Sequence, residues 1–379
     1  LLSKNHLEYR EKIRAFAEEK IAPQAVSLDL QQRFPTEYLK PLAEMGLMSM
    51  IIPEEYGGRP VDTVCYSIAV EELSRVCGST GITIAAHNSL GVFPIYRFGS
   101  EDQKKKYLPM AAAGELLAFG LTESDAGSDA GGTRTFAKRD GNHWIINGSK
   151  CFITSASHAM ATISTAKTSD DPKDPTITSF ILEKGMPGYS VGKKENKMGL
   201  RGSDTASLHF DDLKVTDEYL LGRIGEGFKQ MLITLDGGRI SIGAMALGLA
   251  QGALECALKY ATEHRHGGKP IAYRQGVQFT LADMATEIEA ARLLIYEASM
   301  LKDSGQPFSR LSAMAKLYAS EVGTRVAATA LGILLENGQY TGPLPAERIW
   351  RDVKLCEIGE GTSEIQRLVI GRDLLKSLK

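Results

Sequence analysis

The chain has 379 residues, enough for one composite fold or two to three modest domains. Apolar residues make up 43% and charged residues 24%, and 44 basic against 46 acidic residues leave a formal charge of -2. That balance is globular and excludes long-range attraction to nucleic acid or to an anionic membrane.

The first part reads as helical. In YREKIRAFAEEKIAPQAVSLD, Ile13, Phe16, Ala17 and Ile21 recur at helical spacing and Pro23 marks a break. VCYSIAVEELSRVCG and TIAAHNSLGVFPIYRFG are apolar on nearly every turn, which predicts buried bundle helices. At about residue 118 the pattern changes to short β-prone runs separated by Gly, Asp, Asn and Pro, the signature of a small antiparallel sheet domain. SDDPKDPT, residues 169–176, is its most loop-like stretch. From about residue 229 helical periodicity returns: a long helix of small residues opened by Arg239, an amphipathic helix with Leu281, Met284, Ile288, Ala291 and Leu294 in one stripe, and further helices at 308–334 and 362–376. The expected domains are 1–117 (helical), 118–228 (antiparallel β) and 229–379 (a C-terminal helical bundle).

Several chemistries find no support. The five cysteines form no CxxC pair and read as reduced, mostly buried thiols. Nucleotide-binding G-x-G-x-x-G and G-x-x-x-x-G-K-[ST] loops are absent, and His264 and His266 lack a third spaced metal partner. No uninterrupted run of about 18 apolar residues occurs. The chain does not open on Met, which leaves a removed targeting peptide open.

Three stretches and one arginine carry candidate chemistry. TESDAGSDAGG (122–132) is rich in glycine and hydroxyls, either a connector or a loop whose N–H groups hold phosphates or the polar edge of a cofactor. Phe152 and Thr154 in KCFIT read either as core or as a stack and hydrogen bond to one planar group. Arg239, read as a cation at a helix start, calls for a carboxylate partner or an anionic ligand. In CEIGEGTSEIQR (356–367), Glu360 lies between Gly359 and Gly361, and Ser363 with Gln366 forms a possible capping box. A carboxylate on such a hinge suits either a turn or a general base in an apolar site.

Taken in order, GLTESDAGSD, NGSKCFIT, KMGLRGSDTASLHFDDLKV, GFKQMLITLDGGRI, QFTLADM and RDVKLCEIGEGTSEIQRLVIGRDL resemble the acyl-CoA dehydrogenase family, and most of all its short-chain branch. The resemblance implies a mostly α fold with a central β domain: an N-terminal helical bundle, a small β barrel and a C-terminal four-helix bundle, assembled as a homotetramer. It implies FAD as cofactor, an acyl-CoA substrate and electron-transfer flavoprotein as partner, with neither nucleic acid nor membrane insertion. The implied location is the mitochondrial matrix for a eukaryotic source with a removed transit peptide, and otherwise the cytoplasm. The implied reaction moves the α-proton of a short, branched or cyclic acyl-CoA to Glu360 and the β-hydride to flavin N5, giving the trans-2-enoyl-CoA. Two alternatives stay open: the reverse reaction as an enoyl-CoA reductase, and a flavin-poor structural or assembly partner.

By resemblance, Phe119, Leu121, Thr122, Phe152, Thr154, Arg265 and Thr362 contact the cofactor, while Ser128, Asp236, Arg239 and Gly361 contact substrate. His87 and Gly359 shape the acyl pocket, Gly359 standing where the family commonly has Tyr. No metal site is expected. The chain departs from the family at His264 and Gly267, which replace an Arg and a Phe of the FAD phosphate segment; Arg265 is the stand-in. Glu336, Asn337 and Gln339 occupy usual glycine positions in a second such segment.

Overall fold

The computed structural model describes residues 2–169, 171, 176–338 and 345–376. Most of the loop expected at 169–176, and Gln339, therefore lie outside the described residues.

Ile13, Ala17 and Ile21, spaced by four, are all buried along one side of the first helical stretch. That stretch is α1 (Lys4–Phe16), a wide turn at Ala17–Ile21, a tight turn at Ala22–Gln24 and α2 (Ala25–Gln31). Pro23 falls in the tight turn because it has no N–H for the helical ladder. After α3 (Leu39–Glu44) comes α4 (Thr63–Val76), in which every residue is buried. α5 (Gly78–Ala86), a wide turn at His87–Val92, α6 (Phe93–Phe98) and α7 (Glu101–Ala112) complete this part.

The strands are β1 (Leu117–Gly120), β2 (Phe136–Asp140), β3 (His143–Thr154), β4 (Ala161–Lys167), β5 (Ile177–Glu183), β6 (Tyr189–Lys194), β7 (Thr205–Thr216) and β8 (Leu220–Leu221). They form one sheet in the order β6-β7-β3-β2-β4-β5-β8, with β1 joined to β4. The expectation of a purely antiparallel domain is corrected: β1 and β2 both run parallel to β4. Apolar–polar alternation specifies which face of a strand is buried but not the direction of its neighbour.

The last part holds α8 (Gly227–Glu263), a hairpin of β9 (Arg265–His266) and β10 (Lys269–Pro270), α9 (Gln275–Asp303), α10 (Ser309–Glu336), α11 (Pro345–Val353) and α12 (Ser363–Lys376). By length and composition α8 could cross a membrane, but 83% of its most apolar window is buried inside the fold. It is a core helix packed closely on α4: a Cβ at Gly248 would lie 2.2 Å from the Glu71 carbonyl oxygen. Only glycine allows that approach. Arg239 does not open this helix, as the sequence suggested; α8 starts at Gly227 and Arg239 lies in its interior. The Gly237–Gly238 pair, each glycine costing about 1 kcal/mol of helix propensity, masks the first three turns.

Candidate active site

A short turn between α11 and α12 carries Glu360. Its backbone is left-handed, with φ of 55°, a conformation uncommon for a residue with a side chain. Gly361 follows at φ 97°, so two consecutive left-handed residues aim the carboxylate inward. There it lies directly over α8: a Cβ built on Gly238 would stand 1.8 Å from Glu360 Oε2. Both carboxylate oxygens are buried, and neither has a hydrogen-bond partner among the described residues. Burial pushes the carboxyl up to about 8, against the opposing pull of the Lys316 and Arg239 cations.

Those cations come from two helices. Arg239 pairs through Nη1 with Asp236, one turn earlier on α8, and Asp236 also accepts from Ser309 Oγ at 3.0 Å. The carboxylate partner expected for Arg239 is thus found, although the helix-terminus argument for it does not apply. Lys316, wholly buried on α10, donates to the Gly361 carbonyl at 2.7 Å. Burial pushes its ammonium down to about 8, while Cys356 and Glu360 act in the opposite sense. The capping of α12 also differs from expectation. Thr362, not Ser363, accepts from a first-turn N–H (Ile365, 3.3 Å), and Gln366 Nε2 donates to the Gly361 carbonyl at 2.8 Å. Glu360 and Gly361 complete the turn ahead of the cap, so the cap falls one residue early, and Ile365 at the third helical position has no polar side chain to complete a capping box.

The sheet carries a second group of candidate residues. Phe119 lies half-buried on β1, followed by half-buried Leu121 and Thr122. On β3 the register slips between Lys150 and Ile153, and Phe152 in that slip takes φ of 59° with 66% of its surface exposed. A bulge of this kind re-aims a side chain, here turning an aromatic ring outward. The hydroxyls of Thr122 and half-buried Thr154 make no side-chain hydrogen bond to other described residues. Ser128 is exposed on the loop after Thr122. An outward aromatic ring beside free hydroxyls fits the flat, hydrogen-bonding ring system of FAD.

Sequence reasoning missed what braces this part of the sheet. Lys150 Nζ is wholly buried and donates to Glu123 at 2.6 Å, to Thr133 Oγ1 at 3.1 Å and to Thr165 Oγ1 at 3.3 Å. Glu123 also accepts from the N–H of Arg134 at 2.6 Å. Burial alone would raise Glu123, but Lys150 and these donors hold it down at about 2. Gly238 and Lys316 were missed too. A glycine pair inside a helical run, and one lysine inside an apolar one, were the available signals.

His87 is buried, its Nε2 bonded to the Met48 carbonyl at 3.0 Å and its Nδ1 accepting from Leu117 N at 3.3 Å. Both ring nitrogens therefore brace β1 against the helical part, and burial lowers the imidazole to about 4. A Cβ at Gly359 would touch only Leu355, at an ordinary 3.6 Å, so the backbone does not require glycine there. Arg265 is exposed on the β9–β10 hairpin and donates to the Gly268 carbonyl at 3.1 Å. It follows the far end of α8, roughly 36 Å along the axis from Arg239 at about 1.5 Å per residue. Nearby, His264 stacks on Tyr260, and Tyr260 donates to the Asn337 carbonyl at 3.0 Å; Glu336 is exposed. One trio of potential metal ligands, His6, Asp62 and Cys65, gathers within 4.8 Å among the described residues. Its members already serve as helix caps and in the His6–Asp62 contact of 2.9 Å.

Comparison with known proteins agrees with this architecture. Models of the acyl-CoA dehydrogenase N-terminal, middle and C-terminal domains match residues 3–115, 118–213 and 225–375. The chain is 48% identical to the probable acyl-CoA dehydrogenase YngJ of Bacillus subtilis, over 99% of both chains. It is 46% identical to the mitochondrial short-chain specific acyl-CoA dehydrogenase of Rattus norvegicus, over 100% of this chain and 92% of that one. Among solved structures, butyryl-CoA dehydrogenase from Megasphaera elsdenii superposes with a TM-score of 0.95 at 40% identity, over 99% of each chain. A chain from a structure of the electron transferring flavoprotein of Acidaminococcus fermentans gives a TM-score of 0.95 at 45% identity, also over 99% of each. On these matches the chain belongs to the acyl-CoA dehydrogenase family of FAD-dependent oxidoreductases.

Proposed function

We propose that Glu360 is the general base of an α,β-dehydrogenation acting on a short acyl-CoA thioester. One observation carries this reading: a carboxylate whose two oxygens are buried without a hydrogen-bond partner among the described residues, held by left-handed backbone over Gly238. A base that makes no hydrogen bond at rest is free to take a proton from carbon. Its raised proton affinity brings it closer to that weakly acidic donor, and exclusion of water by the acyl chain raises it further. The Glu360 N–H is the donor we assign to the thioester carbonyl, where negative charge develops as the α-proton leaves. Arg239, tied to Asp236, contributes positive potential beside the base.

Phe119, Leu121, Thr122, Phe152, Thr154 and Thr362 are the residues we propose to hold FAD. When bound, FAD supplies the two-electron oxidant for the β-hydrogen. Arg265 is assigned to the same cofactor from a neighbouring subunit, in a homotetramer that brings the distant hairpin to a second chain's site. Ser128 and Asp236 are assigned to the CoA portion, and Gly361 to the acyl contact beside the base. Gly359 leaves the space of a ring open next to Glu360, which suits branched or cyclic acyl groups. The likeness to a chain in an electron transferring flavoprotein structure supports such a flavoprotein as electron acceptor. Mitochondrial enzymes are among its relatives, so the matrix is the proposed compartment for a eukaryotic source and the cytoplasm otherwise.

Glu360→Gln tests the reading. The variant is expected to bind FAD and butyryl-CoA normally and to lose turnover by at least about a thousandfold. Near-normal turnover would remove Glu360 from its role.

A further inference from the structure

Two donors converge on one backbone carbonyl beside the base. Lys316 Nζ, wholly buried within α10, donates to the Gly361 oxygen at 2.7 Å, and Gln366 Nε2 from α12 donates to the same oxygen at 2.8 Å. A carbonyl offers two lone pairs, so this one is saturated. Gly361 follows Glu360 directly, and the two residues take φ of 55° and 97°. Such a turn persists only where its surroundings over-determine it.

A lysine is more than that contact needs. A neutral amide or hydroxyl would satisfy a buried carbonyl, whereas a buried ammonium is costly to desolvate. Among the described residues Lys316 makes no ion pair, and Gly361 is the acceptor of its one side-chain hydrogen bond. The ionisable groups facing it are Glu360 on the turn, Cys356 and Glu357 just before that turn, and Arg239 on α8. Close helix packing fixes where its stem starts: a Cβ at Gly243 of α8 would lie 3.5 Å from Lys316 Cα.

We propose that Lys316 is a positioning residue for proton abstraction: it clamps the Gly361 carbonyl so that the Glu360 turn stays over Gly238, and its charge favours the ionised carboxylate. The inference rests on Glu360 being the base.

Two variants of the full-length holoenzyme separate the clamp from the charge. Lys316→Met removes both donor and charge, and Lys316→Gln removes the charge while keeping a donor. With butyryl-CoA, Lys316→Met is expected to lose about tenfold to a hundredfold in kcat with KM within about threefold. Its acid limb in kcat/KM moves to higher pH, because losing a nearby cation makes Glu360 harder to ionise. Lys316→Gln regains most of kcat and keeps the displaced limb. A readout without turnover is the carboxyl band of Glu360, isolated by difference infrared spectroscopy against Glu360→Gln; it titrates at higher pH in both variants. A wild-type limb and band in both variants overturns the proposal, as does a kcat loss that Gln fails to restore. Should Lys316→Met not fold, the limb and band of Lys316→Gln decide alone. If Glu360→Gln itself turns over normally, the reading of the base fails. If it is inactive while both Lys316 variants match wild type, only the role of Lys316 falls.

Discussion

Replacing Gly238 with alanine sets activity against stability in a way that few substitutions would. The new Cβ would stand 1.8 Å from Glu360 Oε2 and 2.8 Å from its Cδ, whereas ordinary contact begins near 3.4 Å. The carboxylate must therefore retreat by about 1.6 Å, and a misplacement of about 1 Å can cost a hundredfold in rate. The atoms displaced are the end of a flexible side chain, so the helix itself is undisturbed. Alanine in a helix interior should then add up to about 1 kcal/mol relative to glycine. Steady-state oxidation of butyryl-CoA with an artificial electron acceptor, beside thermal melting of the same preparation, reads both effects. We expect kcat to fall by about tenfold to a hundredfold with the melting temperature unchanged or higher. Wild-type kcat in Gly238→Ala would mean that Glu360 does not act from its place over Gly238. A lowered melting temperature would mean that the contact belongs to the packing of α8.

Further outcomes follow from the same geometry. Because Glu360 must be ionised to act, kcat/KM of the free enzyme should rise with pH through about 8. The same raised affinity has a stability sign: its contribution is fully present below the unfolded carboxylate value and is lost as pH rises through about 8. Glu360→Gln should accordingly gain stability over wild type between about pH 5 and about pH 9, and a constant difference across that range would refute the burial argument. Gly359→Tyr should reduce kcat/KM for isobutyryl-CoA more than for butyryl-CoA, since the ring takes up room beside the base; equal losses would place the acyl branch elsewhere. Lys150→Met leaves the Glu123 carboxylate buried without its cation, and should cost about 3–5 kcal/mol in denaturant unfolding. A cost under about 1 kcal/mol would mean the N–H donors around Glu123 suffice.

Local pattern carried a large share of this protein. Apolar spacing of four defined the buried side of the first helical stretch, and apolar residues on nearly every turn of α4 matched a helix with every residue buried. Glu360 stood out because glycines on both sides are a local signal, readable without knowing what the turn faces. Direction and distance were different. The parallel pairing of β1 and β2 with β4, and the true start of α8, needed the assembled fold, since alternation and propensity are blind to neighbours.

The sequence by itself determined the helical, β, helical order, the carboxylate set between two glycines at Glu360 and the hydroxyl-rich stretch 122–132, because each is a property of residues adjacent in the chain. Only the tertiary structure decided that Gly238 makes room for Glu360, that Lys316 reaches the carbonyl next to it, and that His87 spends both ring nitrogens on backbone. Those contacts join residues far apart in sequence, and helix packing and backbone handedness, which no local spacing encodes, bring them together.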